Sequence, residues 1–251
     1  MTEQTFKDHF SGSSETYAHH RPRYPEALFR HIAGKTRHRH LAWDCATGNG
    51  QAARGLAAYF DEVIATDAST AQIAQAVPHP KVEFRVAPAE RSGLAPASVD
   101  LVTVAQALHW FDFDAFYTEV RRVCRPGGVL AAWCYGLAVV SPAVDEIINE
   151  LYAGTLGPFW PGERRHVETG YRQIPFPFAE TETPDFAMQR DWQAGDMLGY
   201  LSSWSAVARY RDRFGRDPLE PVRQALVRAW GGDSVRHRVT WPLTLRIGRV
   251  D

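Results

Sequence analysis

Residues 41–54, LAWDCATGNGQAAR, are the stretch on which the reading of the fold turns. An apolar run places Asp44 near its end, crosses the small residues Cys45-Ala46-Thr47-Gly48-Asn49-Gly50 and enters the helix-forming Gln51-Ala52-Ala53-Arg54. That order reads as strand, tight turn, helix. Glycines at 48 and 50 permit backbone conformations closed to other residues and let a ligand approach the main chain without meeting a β-carbon. A loop of this kind after a first strand is where a doubly wound α/β sheet binds a nucleotide-like ligand.

Two ligands compete for the loop. Gly48-Asn49-Gly50-Gln51-Ala52-Ala53 satisfies G-x-G-x-x-A, the dinucleotide pattern. A dinucleotide loop must receive a pyrophosphate at its helix N-terminus, and the carboxylate of Asp44, four residues before the first glycine, works against that anion. S-adenosylmethionine (SAM) carries no phosphate and presents an ammonium and a sulfonium, for which the same carboxylate is an asset. The run Asp44-Cys45-Ala46-Thr47-Gly48-Asn49-Gly50 resembles the D-x-G-x-G-x-G loop of class I SAM-dependent methyltransferases, with Ala46 where the first glycine stands. The resemblance implies that Asp44, Ala46, Thr47, Gly48 and Gly50 contact the cofactor.

Working outward, residues 62–66 read as a second strand that ends in Asp67, followed by Ala68. An acidic residue at that tip is placed to accept hydrogen bonds from both ribose hydroxyls of an adenosine ligand, whether NAD or SAM; the competing role is a helix N-cap. Third and fourth strands follow at 82–87 and 99–105. The family resemblance makes Ala89 and Glu90, after the third strand, and Gln106, after the fourth, cofactor contacts. It turns the segment 106–111, QALHWF, toward the sulfonium and the acceptor, with His109 and Trp110 as candidate substrate residues and His109 as a candidate catalytic one. A helix at 113–124 ends in Arg125-Pro126-Gly127-Gly128, a type II turn pattern, and leads to a fifth strand at 129–135. Upstream, residues 6–24 mix aromatics with arginines ahead of a helix at 25–33. The resembling families carry a Y-x-x-x-R flap here, matched by Tyr17 and Arg21, which the resemblance places over the cofactor.

Beyond Tyr135 the pattern changes. A helix is expected over 141–153, then a long segment, 156–178, with four prolines, the aromatics Phe159, Trp160 and Tyr171, and the pair Arg164-Arg165. Its length exceeds a plain connection, so it reads as a cap over the acceptor. Trp160 and Tyr171 supply walls, and Arg164 and Arg165 either orient a polar group or face solvent. A strand at 185–192, helices across 194–210 and 218–230 and a last strand at 238–246 complete the chain. The segments FWPGERRH, YRQIPFPF and GYLSSWSAV resemble small-molecule methyltransferases related to the trans-aconitate methyltransferases.

The expected fold is therefore α/β, Rossmann-like, of the class I methyltransferase type: a seven-stranded, mostly parallel sheet with helices on both faces, a helical cap, and strands six and seven forming an antiparallel hairpin. One domain spans 1–251, divided into a flap and helix (1–34), a SAM-binding core (35–136), the cap (137–180) and the completing strands and helices (181–251). Of the 251 residues, 45% are hydrophobic and 23% charged, which suits a single buried core. A net charge of -1 gives no electrostatic footprint for nucleic acid or an anionic membrane. Three cysteines are too few for a disulfide framework, no apolar run reaches membrane-spanning length, and the start MTEQTFKDHF lacks the apolar centre of a signal peptide. The expected location is cytoplasmic. His38 and His40 lack cysteine or carboxylate neighbours in sequence and read as a solvated loop, not metal ligands.

Methyl transfer from SAM is an in-line displacement, so positioning supplies much of the rate. A general base is needed only for an acceptor protonated at working pH. The expected function is SAM-dependent transfer to a small-molecule acceptor, a carboxylate first. The alternatives are a SAM-binding protein without catalysis and a nicotinamide-dependent reductase; the Asp44 conflict and the lack of a Tyr-x-x-x-Lys relay count against the last.

Overall fold

A computed structural model describes residues 22–251. Tyr17 and Arg21, the two contacts expected of the flap, lie outside the described residues. Five strands run parallel: β1 (Leu41–Cys45), β2 (Glu62–Asp67), β3 (Val82–Val86), β4 (Val99–Ala105) and β5 (Cys124–Tyr135), of which β3, at the edge, alternates apolar with charged residues. They lie in the order β3-β2-β1-β4-β5. Strands that bury both faces read as near-continuous apolar runs, as β4 does. In β1 successive side chains serve opposite cores: Ala42 packs on one face of the sheet, Trp43 and Cys45 on the other.

Helices cover the two faces. α1 (Glu26–Lys35) buries Leu28, Phe29, Ile32 and Ala33, a one-sided spacing, and α2 (Gln51–Leu56) follows the glycine loop. α3 (Thr70–Ala74) is short. α4 (Phe113–Val123) starts where Asp112 Oδ1 accepts the Ala115 N–H (3.1 Å). β5 begins at Cys124, earlier than the expected 129, and Gly127, with φ +76°, lies in the irregularity where its register against β4 shifts between Val99↔Cys124 and Leu101↔Val129.

The remaining strands are β6 (Ala179–Glu180), β7 (Phe186–Trp192) and β8 (His237–Arg249). β8 runs antiparallel to β5, from Val129↔Arg249 to Tyr135↔Leu243, and carries β6 and β7 on its other edge. The seven expected strands are thus joined by β6, two residues long. The last two long strands pair antiparallel, yet no tight turn joins them. The chain between them passes through α7 (Ala194–Ser202), α8 (Ser205–Phe214) and α9 (Glu220–Trp230), preceded in the chain by α5 (Pro142–Asn149) and α6 (Arg164–Glu168). The helix expected to reach residue 153 ends earlier: residues Glu150–Thr155 wind as a π-helix, and the Leu156 N–H donates to the Leu151 carbonyl (2.9 Å).

From β1 the chain order runs outward through β2 to β3, and from β4 outward through β5, so the direction of winding switches between β1 and β4. Such a switch point opens a crevice at the carboxyl ends of the two strands. Asp44 and Gln106 stand at those ends. Among the described residues no helix is long and apolar enough to cross a membrane.

Candidate functional site

The loop after β1 is shaped by backbone geometry. Ala46, Gly48 and Gly50 all have positive φ, at +53°, +58° and +85°. The Thr47 N–H donates to the Thr66 carbonyl (2.9 Å) and the Gly50 N–H to the Thr47 carbonyl (3.0 Å), which ties the loop to β2 and closes the turn into α2. The two glycines are required for different reasons. A β-carbon on Gly50 would sit 2.7 Å from the Phe84 ring, whereas one on Gly48 would meet only Gln72 Oε1, at 3.7 Å. Gly48 is therefore held to glycine by its φ, and the space beside it is open to a ligand. Gln51 Nε2 donates to the Pro22 carbonyl (3.1 Å), so the N-terminal approach to α1 is fastened to this loop.

Two carboxylates frame it. Asp44 is fully buried; its oxygens accept the hydroxyls of Thr47 (2.5 Å) and Thr103 (2.7 Å). Desolvation pushes its pKa up to about 6, against the two hydroxyls and the Ala53 amide, which hold it down. Asp67, buried at the end of β2, accepts the Gly48 N–H (2.9 Å) on one oxygen and the Ser69 N–H (2.8 Å) on the other. It is not the N-cap of α3; Ser69 fills that place, its hydroxyl accepting the Gln72 N–H (3.3 Å). Ala68 is half-buried and Ala89 buried. Ala87 donates its N–H to the Asp67 carbonyl (3.0 Å), and Glu90 accepts the Asp112 N–H (3.2 Å). Thr103 was not foreseen, although a hydroxyl inside the apolar run of β4 is the mark that finds it.

Beyond β4 the chain turns at Gln106, which has φ +59°. The family pattern implies a cofactor contact there. Its amide is instead turned on β5, donating to the Tyr135 carbonyl (3.1 Å) and accepting the Tyr135 N–H (2.8 Å), a pairing its length and left-handed backbone allow. Residues Leu108–Trp110 form a 3₁₀ turn. His109 is buried against Trp110, the ring centroids 4.7 Å apart, and its Nδ1 lies 3.0 Å from the Tyr171 hydroxyl. Desolvation first, then the charges of Arg164 and His166, lower its pKa to about 3. At neutral pH it is an uncharged imidazole of low basicity, suited to hydrogen bonding and poorly suited to general-base work.

Tyr171 is fully buried, not a wall exposed to solvent, and has φ +60°. Its position is fixed from β8: Arg246 Nη1 donates to the carbonyls of Tyr171 (2.8 Å) and Ile174 (2.6 Å), and its Nη2 pairs with Glu180 (2.6 Å). The two arginines of the cap part company. Arg165 is exposed. Arg164 is half-buried over the rings of Trp160 (4.9 Å) and Tyr152 (5.6 Å), and its Nε donates to the Tyr152 hydroxyl (3.0 Å), which in turn donates to Glu168 (2.6 Å). Arg164 forms no ion pair among the described residues. Tyr152, absent from the sequence reading, sits on the π-helical turn and has no motif to mark it.

The donor set suits SAM. Buried carboxylates at the ends of β1 and β2 and an unobstructed Gly48 fit a cation joined to an adenosine, and Asp44 stands against a pyrophosphate. The comparisons agree. Residues 43–132 match the family model described as a methyltransferase domain. A Dictyostelium discoideum protein named as a methyltransferase is 34% identical over 257 residues, covering 100% of this chain and 98% of the relative. A Saccharomyces cerevisiae protein named as a SAM-dependent methyltransferase is 33% identical over 132 residues, covering 49% of this chain and 45% of the relative. A solved structure from Anaeromyxobacter dehalogenans, titled as a type II methyltransferase, is 52% identical and superposes with a TM-score of 0.86 over 92% of this chain and 98% of that one.

The chain belongs to the class I SAM-dependent methyltransferases. SAM is the cofactor of this methyltransferase and methyl transfer its reaction. Among the described residues no three His, Cys, Asp or Glu side chains gather as metal ligands; His40 pairs instead with Asp61 at the surface (3.0 Å).

Proposed function

We propose that this methyltransferase acts in the cytoplasm on a small carboxylate, in the branch related to the trans-aconitate methyltransferases. The acceptor lies between the 106–111 segment and the cap, and the cofactor contacts are Asp44, the 46–50 loop, Asp67 with Ala68, and Ala89 with Glu90. The observation that carries the reading is Arg164: a half-buried guanidinium stacked on Trp160 and Tyr152, with no carboxylate paired to it among the described residues. Its planar fork makes two parallel hydrogen bonds to a carboxylate. The FWPGERRH segment, which contains Arg164, is one of those that resemble the trans-aconitate enzymes.

When bound, SAM supplies a methyl already activated by its sulfonium. The protein's share is to hold and align. Asp44 and Asp67 balance positive charge and fix the adenosine side, His109 and Trp110 close the acceptor's flank, and Arg164 sets its orientation. No residue needs to take a proton, because a carboxylate is ionised at neutral pH. The groups around Arg164 agree with that economy. His109 stays neutral, while burial pushes the Tyr152 phenol and the Cys134 thiol up to about 12 and raises the Tyr171 phenol well above its ordinary value, so none of them titrates near neutral pH. The test is turnover on a panel of acceptors, read as S-adenosylhomocysteine (SAH) formed. Di- and tricarboxylates should give product. Product from phenols or amines alone overturns the carboxylate reading.

A further inference from the structure

We propose that Gln106 is a positioning residue: its side-chain amide takes the place of the main-chain carbonyl and N–H that would next bond Tyr135, extends the β4–β5 ladder one rung past the end of β4, and so sets the 107–111 segment that carries His109 and Trp110. β4 ends at Ala105, opposite Trp133, while β5 continues to Tyr135. The Gln106 N–H still reaches the Trp133 carbonyl (2.8 Å). The next rung is made by the amide: Oε1 accepts the Tyr135 N–H at 2.8 Å and Nε2 donates to the Tyr135 carbonyl at 3.1 Å. In a continuing parallel ladder the Gln106 carbonyl and the Leu108 N–H, from two separate peptide groups, would take these two places, but the main chain has left the sheet, turning at φ +59°. Strained non-glycine backbone of this kind persists only where the surroundings over-determine it, and it gathers at functional sites. Two consequences follow for the segment beyond. The turn is fixed at its root, so the 3₁₀ turn Leu108–Trp110 has a single starting direction. The amide is also committed to Tyr135, so a cofactor contact at Gln106 falls to its main chain.

Only an amide supplies donor and acceptor together, so substitution can dissect the clamp. Gln106→Met keeps the length and loses both bonds. Gln106→Glu keeps the acceptor for the Tyr135 N–H, but its ionised second oxygen opposes the Tyr135 carbonyl; protonation restores a donor. The proposal rests on the reading that the 106–111 segment flanks the acceptor, and its test needs no acceptor, so the two can fail separately. The readouts are the hydrogen-exchange protection factor of the Tyr135 amide, the NMR cross-peak of the Trp110 indole N–H, and SAH affinity by titration calorimetry at pH 7.5. In Gln106→Met, Tyr135 protection should fall at least tenfold and the Trp110 cross-peak should shift or broaden, with SAH affinity within threefold of wild type. In Gln106→Glu, protection should be within threefold of wild type at pH 5 and at least tenfold lower at pH 8. Unchanged Tyr135 protection in Gln106→Met, or a Gln106→Glu profile that parallels wild type, overturns the clamp. An unmoved Trp110 signal despite lost protection reduces the clamp to local structure. A tenfold loss of SAH affinity with protection intact returns the Gln106 side chain to the cofactor.

Discussion

In the 44–50 loop, three backbone positions of positive φ and the buried carboxylate of Asp44 are fixed by hydrogen bonds to β2 and β4, where Asp67 and Thr103 are the partners. In the 150–178 segment, a π-helical turn, a 3₁₀ turn and α6 are held largely by tilted and edge-on ring contacts and by two arginines, Arg164 within it and Arg246 from β8. The first region, the cofactor site of the proposed function, is defined by directional hydrogen bonds to within a narrow geometry. The second is built from aromatic rings, which contribute mainly buried area and pack in either offset or edge-to-face arrangements. The difference teaches where sequence change should be costly and where it should alter selectivity instead.

The largest effect is expected from a glycine. Gly50→Ala combines a left-handed backbone with a β-carbon 2.7 Å from the Phe84 ring, so it should cost about 2 kcal/mol or more and abolish SAH binding. Gly162→Ala, in the cap and with nothing within 4 Å of the added carbon, should stay within about 0.5 kcal/mol. Thermal melting of the pair checks this, and equal losses would erase the contrast. The next effect belongs to the cap. Arg164→Ala should lower kcat/KM for the acceptor by about 1.5 to 3 kcal/mol of transition-state stabilisation, with a smaller loss of stability, about 1 kcal/mol, from its ring contacts and its bond to the Tyr152 hydroxyl. Kinetics on a carboxylate that turns over would decide it.

Asp44 sharpens the comparison through pH. Its folded pKa, about 6, is above the ordinary 3.8, so the native protein holds the proton more tightly than the unfolded chain. The stabilisation from that proton is complete below about pH 4 and is lost as pH rises through about 6, an effect of order 1 to 3 kcal/mol. Above that range the cofactor-free fold bears a buried negative charge, which a cationic ligand offsets. Asp44→Asn should therefore melt higher than wild type at pH 7.5 without ligand, show a flatter melting profile between pH 4 and 6, and bind SAH at least tenfold more weakly. Parallel profiles in the two proteins would rule out Asp44 as the titrating group. The smallest effect is expected at Ala46, where φ is +53°. Ala46→Gly relieves about 1 kcal/mol of left-handed strain and adds a comparable freedom to the unfolded chain, so stability should change by less than about 1 kcal/mol.

Much of the first region was legible in the sequence. The strands at 41–45, 62–67, 82–86 and 99–105 fall within a residue or two of their expected limits because their apolar runs are bounded by turn residues. The glycine loop was legible because its backbone requirement is written in residue type. What the sequence left unread is set by tertiary partners. Nothing local tells that the Gln106 amide pairs with Tyr135, that Tyr171 is sealed and pinned by Arg246 from β8, or that Arg164 turns inward while Arg165 faces solvent. β6 is two residues long and exists only because β8 offers an edge.

The division between the two regions is tested most directly by calorimetric titration of SAH into wild type, Asp67→Ala and Arg164→Ala. Asp67→Ala should lose on the order of 1.5 to 3 kcal/mol of SAH affinity, through its charge-assisted hydrogen bonds and the release of the Gly48 N–H it holds, whereas Arg164→Ala should bind SAH within twofold of wild type. Unchanged affinity in Asp67→Ala, or a loss in Arg164→Ala as large as that in Asp67→Ala, contradicts a cofactor site at the strand tips that is separate from an acceptor site between the 106–111 segment and the cap.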